Sequence, residues 1–444
     1  MTTNRWNDYV ALIRREVIPA LGCTEPIAVA LAAAKAVEVL GREPDRIEVY
    51  LSQNVLKNGM SVGIPGTGLY GIEIATAVGA LGGNSAYGLE VLKNLSPENL
   101  EKGKNMLKEK RVVVHHKETP EILYIEVVAF SGGDFARTII KHRHENICFV
   151  EHNGKTLLDA APLFFDAAEA KASPTTSVLE ELHEKDIWQF ATTAPLETID
   201  FIMESVVLNK KISDEGLRGD YGLKVGKSID ENISKGLLQA DLSNEAVKRT
   251  ASGADARMAG SALPVMSNSG SGNQGITATM PVVAVAEKLG SSREKLIRAL
   301  ILSHLTVIHM KSKMDRLSAL CGASVAATGA SCGIVYLLGG AYEHVEYAIK
   351  NMVGNVAGMV CDGAKTSCAL KIASCVSAGV QGALLAINSI GVTEIEGIVE
   401  GNIERTINNL GKLGSAGMAE TDKVILAIIT SKEKSEHTAS TANA

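Results

Sequence analysis

Three long stretches without a charged side chain constrain the fold of this 444-residue chain more than any other feature. They cover residues 258–286, 317–342 and 372–393, and each is long enough to cross a bilayer. They are nevertheless rich in Gly, Ala, Ser, Thr and Asn rather than Leu, Ile and Phe, a composition that a membrane-transfer scale penalises. We therefore predict buried central helices around a site, and no membrane-spanning segment.

Composition narrows the class of protein further. The formal net charge is −6 and no basic stripe with interleaved aromatics occurs, so we expect no nucleic-acid partner. The seven cysteines, and an N-terminus without the pattern of a secretory leader, favour reduced thiols in the cytoplasm. We expect a small-molecule amino-acid substrate as partner, and a homo-oligomer is possible.

The hydrophobic pattern predicts strands in the first half of the chain and helices in the second. Amphipathic helical spacing opens the chain, and an Ala-rich helix follows at about 26–40. Alternation at Ile47, Val49 and Leu51 indicates a strand, and a helical region at about 71–109 comes next. Further strand-like segments lie at 111–116, 122–129, 135–142 and 146–151, with turns at Gly132-Gly133 and Asn153-Gly154.

We therefore expect an α+β N-terminal domain with a mainly antiparallel sheet over residues 1–170, followed by an all-helical C-terminal domain over residues 196–430. Residues 171–195 are rich in Ala, Glu, Lys, Ser, Pro and Thr, and we interpret them as a linker with some helix. The polar tail at 431–444 is expected to be disordered.

Three cysteines in the second half are candidate metal ligands: Cys321, Cys361 and Cys368. Three thiolates can hold three irons of a [4Fe–4S] cluster and leave the fourth iron open as a Lewis acid. In one regular helix the Cα atoms of residues 361 and 368 would lie about 10.5 Å apart, so we predict a chain reversal at Gly363. Two alternatives stay open: the cysteines are small buried hydrophobes, or Cys375 is a ligand in place of Cys368.

A second motif, Gly22-Cys23-Thr24-Glu25-Pro26, joins the first two predicted helices. Thr24 at the cap position and Pro in the first turn mark a helix start, so Cys23 is expected to lie at the positive end of the helix dipole with a lowered pKa. Cys23 is then a candidate base or nucleophile. The alternative is a cysteine that caps a turn, and Glu25 is interpreted as an ordinary first-turn acid.

Two glycine-rich segments, at 54–68 and 267–275, resemble backbone nests that lead into helices and hold a carboxylate or phosphate. The alternative is a pair of surface loops. The candidate substrate-binding residues are Thr24, Lys57, Asn58, Gly272, Asn273 and Gln274. Among the histidines, His115, His116, His142 and His144 are expected at exposed or edge positions. One of His304 and His309, which lie just before Cys321, is a candidate for lining the site.

The motifs at 22–26, 54–59 and 269–275, together with Cys321, Cys361 and Cys368, resemble those of the L-cysteine desulfidase family. The C-terminal half also resembles the α-chain region of the iron–sulfur L-serine dehydratases. Those dehydratases have their last two cysteines farther apart, and some end in a cysteine that reaches the cluster. This tail has none, and both departures favour the branch that acts on cysteine.

The resemblance implies that Cys23 is the proton acceptor and that the three cysteines ligate a [4Fe–4S] cluster. It implies β-elimination of L-cysteine: the substrate carboxylate would sit in one or both glycine-rich segments, and an amino, thiol or carboxylate group would occupy the open iron. Cys23 would remove the α-proton, and sulfide would leave. The released 2-aminoacrylate would then become pyruvate and ammonia.

Three alternative functions remain. The first is an L-serine dehydratase, or a dehydratase of a related amino acid, that uses the same cluster. The second is a pyridoxal-phosphate lyase with Lys57 or Lys365 as its Schiff-base lysine. The third is a non-enzymatic iron–sulfur redox sensor. An anaerobic absorption spectrum separates a cluster from an aldimine.

Overall fold

The computed structural model describes residues 3–160, 178–314 and 317–431. The first of these ranges contains five α-helices, a 3-10 helix at Ser85–Glu90 and seven strands, and the strands β2–β7 form one sheet. The helices are α1 (Thr3–Glu16), α2 (Thr24–Leu40), α3 (Gln53–Gly59), α4 (Ile72–Gly82) and α5 (Pro97–Lys108). The strands are β1 (Pro19–Leu21), β2 (Arg46–Leu51), β3 (Val112–His116), β4 (Tyr124–Ser131), β5 (Asp134–Lys141), β6 (Ile147–His152) and β7 (Lys155–Asp159).

The sheet has the order β3-β2-β4-β5-β6-β7, with β2 and β3 parallel and the other pairs antiparallel. The predicted mainly antiparallel sheet is therefore confirmed, as are the turns at Gly132 and Asn153. Helix α2 packs on β4 and β5, and the buried side chains of Ile47, Val49 and Leu51 belong to the same core. The edge strand β7 was missed because all of its residues are exposed and give no alternating pattern.

The other two ranges are largely helical, as predicted. A short strand, β8 (Pro264–Met266), is the departure from the expected all-helical fold. The helices between residues 184 and 288 are α6 (Glu184–Thr193), α7 (Leu196–Ile199), α8 (Met203–Arg218), α9 (Val225–Ser234), α10 (Leu242–Met258) and α11 (Gly272–Lys288). The remaining helices are α12 (Arg293–Ser312), α13 (Gly322–Leu337), α14 (Tyr342–Val356), α15 (Cys368–Ile387), α16 (Ile403–Gly414) and α17 (Ala419–Ser431).

The first two uncharged stretches form the interior of the helical half, and the third is half buried. Helices α11 and α13 are buried on nearly all sides. Among the described helices, α15 alone is long and apolar enough to cross a membrane, and half of its apolar stretch is buried within the protein. A core helix meets the same criterion. Small residues permit this packing: a Cβ on Gly329 of α13 would lie 2.4 Å from the Ser303 carbonyl oxygen of α12.

Two elements cross between the halves of the chain. Tyr9 of α1 belongs to the core of the helical half, where its ring meets the Phe190 ring of α6 at 5.4 Å. Leu426 of α17 belongs instead to the core that underlies the sheet. The predicted division into domains therefore remains a prediction. Residues 161–177, which include the start of the predicted linker, and the predicted tail beyond Ser431 lie outside the described residues.

Candidate active site

A two-stranded ribbon brings the Gly22–Pro26 motif and the second glycine-rich segment together. Strand β1 pairs antiparallel with β8, with Ala20 opposite Val265. Beyond the ribbon, the Thr24 hydroxyl donates to the Gly270 carbonyl at 2.9 Å. Two motifs separated by about 245 residues of sequence are therefore adjacent in the fold.

Cys23 lies at the start of α2, as predicted, but Cys23 and not Thr24 is the N-cap residue, with extended backbone angles. Its side chain is 4% exposed, and its thiol donates to Glu25 Oε2 at 3.1 Å. Burial, followed by the negative charge of Glu25, raises the pKa of Cys23 well above its ordinary value, and Arg257 acts in the opposite direction. The expected lowered pKa is therefore wrong, because a helix terminus does not offset this desolvation.

Glu25 is part of the site and is not the exposed acid typical of a first turn. It is 6% exposed, accepts from Asn58 Nδ2 at 3.0 Å and lies 3.9 Å from His144 Nε2. Burial raises the pKa of Glu25, but His144 and the hydrogen bonds outweigh burial and leave it lowered. The expectation of an exposed or edge position for His144 is wrong, because this residue is 3% exposed in the turn between β5 and β6.

The second glycine-rich segment forms the start of α11, as predicted. Ser269 and Gly270 adopt positive φ angles of 48° and 79°, and the Ser271 side chain caps the helix by accepting from Gln274 N. Gln274 is 4% exposed and donates from Nε2 to the Asn268 carbonyl at 3.3 Å. A Cβ on Gly322 would lie 2.9 Å from Gln274 Cδ, so this side chain packs beside Cys321.

The two histidines of α12 have structural partners. His304 contacts Asn268 Nδ2 through Nδ1 at 3.0 Å and Thr279 through Nε2 at 3.1 Å, and burial lowers its pKa to about 3. His304 is therefore neutral, and its contact with Asn268 fixes the second glycine-rich segment. His309 lies 2.7 Å from Glu404 in another part of the core.

The first glycine-rich segment differs from the expected loop, because its first part is helix α3. Lys57 Nζ forms a buried ion pair with Asp422 of α17 and lies 3.4 Å from the Cys361 carbonyl oxygen. Asn58 turns toward Glu25. Lys57 therefore supports the cysteine loop, and its ion pair does not fit the free amine that a Schiff base requires. Lys365 is likewise paired with Asp362, at 2.6 Å.

The chain reverses at Gly363, as predicted. An isolated antiparallel bridge joins Leu320 to Val360. Cys321 and Cys361, which directly follow these two residues, therefore lie on adjacent backbone segments. Gly363 has φ +98°, and a Cβ there would lie 2.4 Å from the Lys57 carbonyl oxygen. Cys368 then begins α15.

Cys321, Cys361 and Cys368 form the cysteine site, and their thiols interact electrostatically. Burial and then the neighbouring Cys361 and Cys375 raise the pKa of Cys321, and Cys368 contributes in the same direction. Lys371 donates to the Val360 carbonyl at 2.7 Å and forms an ion pair with Asp362. Burial lowers the pKa of Lys371, but Asp362 and then Cys321 and Cys361 outweigh burial and leave it raised. A cation beside these sulfurs would stabilise them as thiolates.

Thiols are the donors that a [4Fe–4S] cluster uses. In residues 3–160, 178–314 and 317–431, no three His, Cys, Asp or Glu side chains converge as one ion requires. A [4Fe–4S] cluster binds each thiolate at a different iron, so its ligands are spread more widely. Cys321, Cys361 and Cys368 lie close enough to interact electrostatically, and their assignment as cluster ligands stays a prediction. Cys148 and Cys332 are buried, as expected for small hydrophobic residues.

Cys23 and the cysteine site share one buried contact region. Cys23 packs with Val62 and Met258, and Ala364 and Cys368 pack against that cluster. Four polar residues of this region were not found by sequence reasoning: His144, Arg257, Lys371 and Asp422. No local motif marks them, because each acquires its role through contacts with distant parts of the chain.

The fold and site define a class of protein: a mainly antiparallel sheet beside a helical half that carries a buried thiol site. The profile of the serine dehydratase alpha chain matches residues 86–427. The chain belongs to this family, whose members are iron–sulfur amino-acid lyases of the dehydratase type. The resemblance to these dehydratases is thereby confirmed.

Curated relatives extend the similarity over nearly the whole chain. A UPF0597 protein of Oleidesulfovibrio alaskensis is 56% identical over 98% of this chain and 100% of its own length. A UPF0597 protein of Parabacteroides distasonis is 49% identical, with 95% and 97% covered. One of Aeromonas hydrophila is 46% identical, with 97% of both chains covered. These names identify no substrate.

Proposed function

We propose that the protein is an L-cysteine desulfidase, which eliminates sulfide from L-cysteine and yields pyruvate and ammonia. The observation that carries the proposal is the shared contact region of Cys23 and Cys368, beside the start of α11. A proton acceptor, a set of metal-binding thiols and an anion-binding helix start are the three parts that such an elimination requires. All seven cysteines are unpaired, which supports a reducing compartment such as the cytoplasm.

Cys321, Cys361 and Cys368 would hold the [4Fe–4S] cluster, with Lys371 beside them. When bound, the cluster supplies an open iron that acts as a Lewis acid. Lys57 and Asp422 fix the loop that carries Cys361, because Lys57 Nζ lies 3.4 Å from the Cys361 carbonyl oxygen.

Cys23 and Glu25 would move the proton. The Cys23 thiol first passes its proton to Glu25 Oε2, 3.1 Å away. The thiolate then takes the α-proton of L-cysteine, a carbon–carbon double bond forms, and hydrosulfide leaves with the electrons of the carbon–sulfur bond. A thiol of raised pKa is deprotonated in only a small fraction of the molecules, but its thiolate is a strong base. Such a base suits the removal of a weakly acidic proton. The 2-aminoacrylate product adds water to give pyruvate and ammonia.

Exchange of the substrate α-proton tests this role of Cys23. In the variant Cys23→Ala, we expect iron content to remain normal, while turnover falls by about 10²–10⁴-fold, the usual contribution of a positioned general base. The exchange of the substrate α-proton with deuterated solvent, which NMR measures, should be lost together with turnover. Cys148→Ala, which removes a buried thiol from β6, is the matched control and should retain both.

Near-normal turnover and exchange in Cys23→Ala would overturn the assignment of the base. Loss of iron from Cys23→Ala would instead identify Cys23 as a ligand. L-serine is the second candidate substrate, because the matched family is described as a serine dehydratase. Pyruvate formed faster from L-serine than from L-cysteine would favour it.

A further inference from the structure

A buried arginine lies beside the candidate base without a carboxylate partner. Arg257, near the end of α10, is 3% exposed. Its Nη2 donates to the Gly22 carbonyl at 2.8 Å, and its Nη1 donates to Asn273 Oδ1 at 3.0 Å. Within the described parts of the chain, Arg257 Nε has no acceptor, and no Asp or Glu forms an ion pair with this guanidinium. A buried cation in this state is costly unless an anion joins it.

The guanidinium lies at the first residue of α11. A Cβ on Gly272 would be 2.3 Å from Arg257 Nε, so the missing side chain of this glycine makes room for the arginine. The first N–H groups of a helix have no partner within the helix, and the helix dipole makes this end positive. Two independent features, a buried cation without a carboxylate partner and the start of a 17-residue helix, therefore favour an anion at the same place.

We propose that Arg257, which lies against the first turn of α11, binds the α-carboxylate of the amino-acid substrate. This inference rests on the proposed function, because it names the group that orients the substrate for that reaction. A guanidinium is suited to carboxylates, since its planar N–H groups match their oxygens. Because Arg257 also holds the carbonyl of Gly22, a carboxylate bound here brings the substrate α-carbon beside Cys23.

The chemistry predicts a strict requirement for a free carboxylate. L-alanine, which has the carboxylate and no leaving group, should bind, whereas L-alaninamide should not. The amide carries no negative charge, so it would leave the buried arginine uncompensated. We expect about 10- to 150-fold weaker binding when this single charged contact is lost.

Saturation-transfer NMR on the anaerobic holoprotein measures this directly. The wild type should give a signal with L-alanine and none with L-alaninamide, and Arg257→Gln should lose the L-alanine signal while keeping its cluster spectrum. Gly272→Ala is the second variant: its methyl group displaces the guanidinium without removing the charge, and it should also lose the signal. Arg249→Gln is the control, since Arg249 lies on the same helix but pairs with Glu287 at 2.7 Å.

Three results would overturn the inference: no L-alanine signal with the wild type, equal signals with the amide, or an unchanged signal in both Arg257→Gln and Gly272→Ala. If Arg257→Gln does not fold, Gly272→Ala decides the question alone. Sulfide release from L-cysteine is measured separately. A protein that binds L-alanine through Arg257 but releases no sulfide would refute the proposed function and retain the carboxylate site.

Discussion

The thiol of Cys23 lies between two opposite charges. Glu25 accepts its proton and raises its pKa, and Arg257 favours the thiolate. This arrangement keeps the base protonated in the free protein, because burial penalises the thiolate most. If the carboxylate of the substrate neutralises Arg257, the thiolate also loses its stabilising cation and becomes a stronger base.

The ligand set is tested residue by residue. Changing Cys321, Cys361 or Cys368 to Ser should in each case remove most of the bound iron, because serine is a poor ligand for a cluster iron that prefers thiolate. Iron and acid-labile sulfide, measured after anaerobic reconstitution, are the readouts. Cys148→Ser and Cys332→Ser are the controls and should retain both.

Cys375 provides the strictest comparison, since it is fully buried close to Cys321 and burial raises its pKa to about 12. Cys375→Ser should retain the iron. If Cys375→Ser strips the iron and Cys368→Ser does not, the assignment of the third ligand is wrong.

Local sequence predicted the residues with a recognisable backbone role and missed those with long-range contacts. Pro26 marks a helix start, so the position of Cys23 at the positive end of α2 followed from the sequence, although the cap was expected at Thr24. Its pKa did not, because Glu25 and Arg257 act on it only in the folded chain. His144 and Arg257 gave no signal for the same reason.

At the scale of elements, the reversal at Gly363 connects the cysteine loop to helix α3. Gly363→Ala should destabilise the protein by about 2–4 kcal/mol, since a side chain would clash with the Lys57 carbonyl and strain a positive-φ backbone. The loop should shift as well, so that less iron is bound. Thermal unfolding and iron content are the measurements.

Gly358→Ala is the matched control for Gly363→Ala. Gly358 lies in the turn before the same loop, has open space around its Cβ position and does not have a positive φ. It should be nearly neutral. Equal iron content in both variants would contradict the role assigned to the reversal.

Elements with strong periodicity were predicted well, whereas helix α3 and strand β7 were not. Residues 53–59 contain two Asn and a Gly, which favour a loop, yet the buried Lys57–Asp422 pair and the core fix them as helix. Strand β7 has no buried face to impose alternation. Tertiary packing, which sequence periodicity does not report, decides both cases.

At the scale of the whole molecule, a buried acid makes stability depend on pH. Glu184 of α6 is fully buried, and its carboxyl accepts from Thr306 Oγ1 at 2.6 Å. Burial raises the pKa of Glu184 to about 8, the Thr306 hydrogen bond lowers it, and the nearby charges of Glu404 and Glu346 raise it. The folded protein therefore binds a proton that the unfolded chain releases above its ordinary carboxyl pKa.

This proton sets the direction of the pH effect. The contribution of Glu184 to the free energy of unfolding is complete below the ordinary carboxyl pKa. It is lost as pH rises toward about 8, at up to about 1 kcal/mol per pH unit. The melting temperature of Glu184→Gln should therefore fall less between about pH 5.5 and about pH 8 than that of the wild type. Glu197→Gln, an exposed change on α7, should follow the wild type. An identical pH slope in Glu184→Gln and wild type would contradict the prediction.

The central claim, iron–sulfur-dependent elimination of sulfide from L-cysteine, is tested most directly by product stoichiometry. Anaerobically reconstituted protein is incubated with L-cysteine or L-serine, and sulfide, pyruvate and ammonia are quantified, with Cys361→Ser as the cluster-deficient control. We predict equal amounts of all three products from L-cysteine, slower pyruvate formation from L-serine and no products with Cys361→Ser. Undiminished turnover by iron-free protein, or turnover of L-serine without sulfide release from L-cysteine, would contradict the claim.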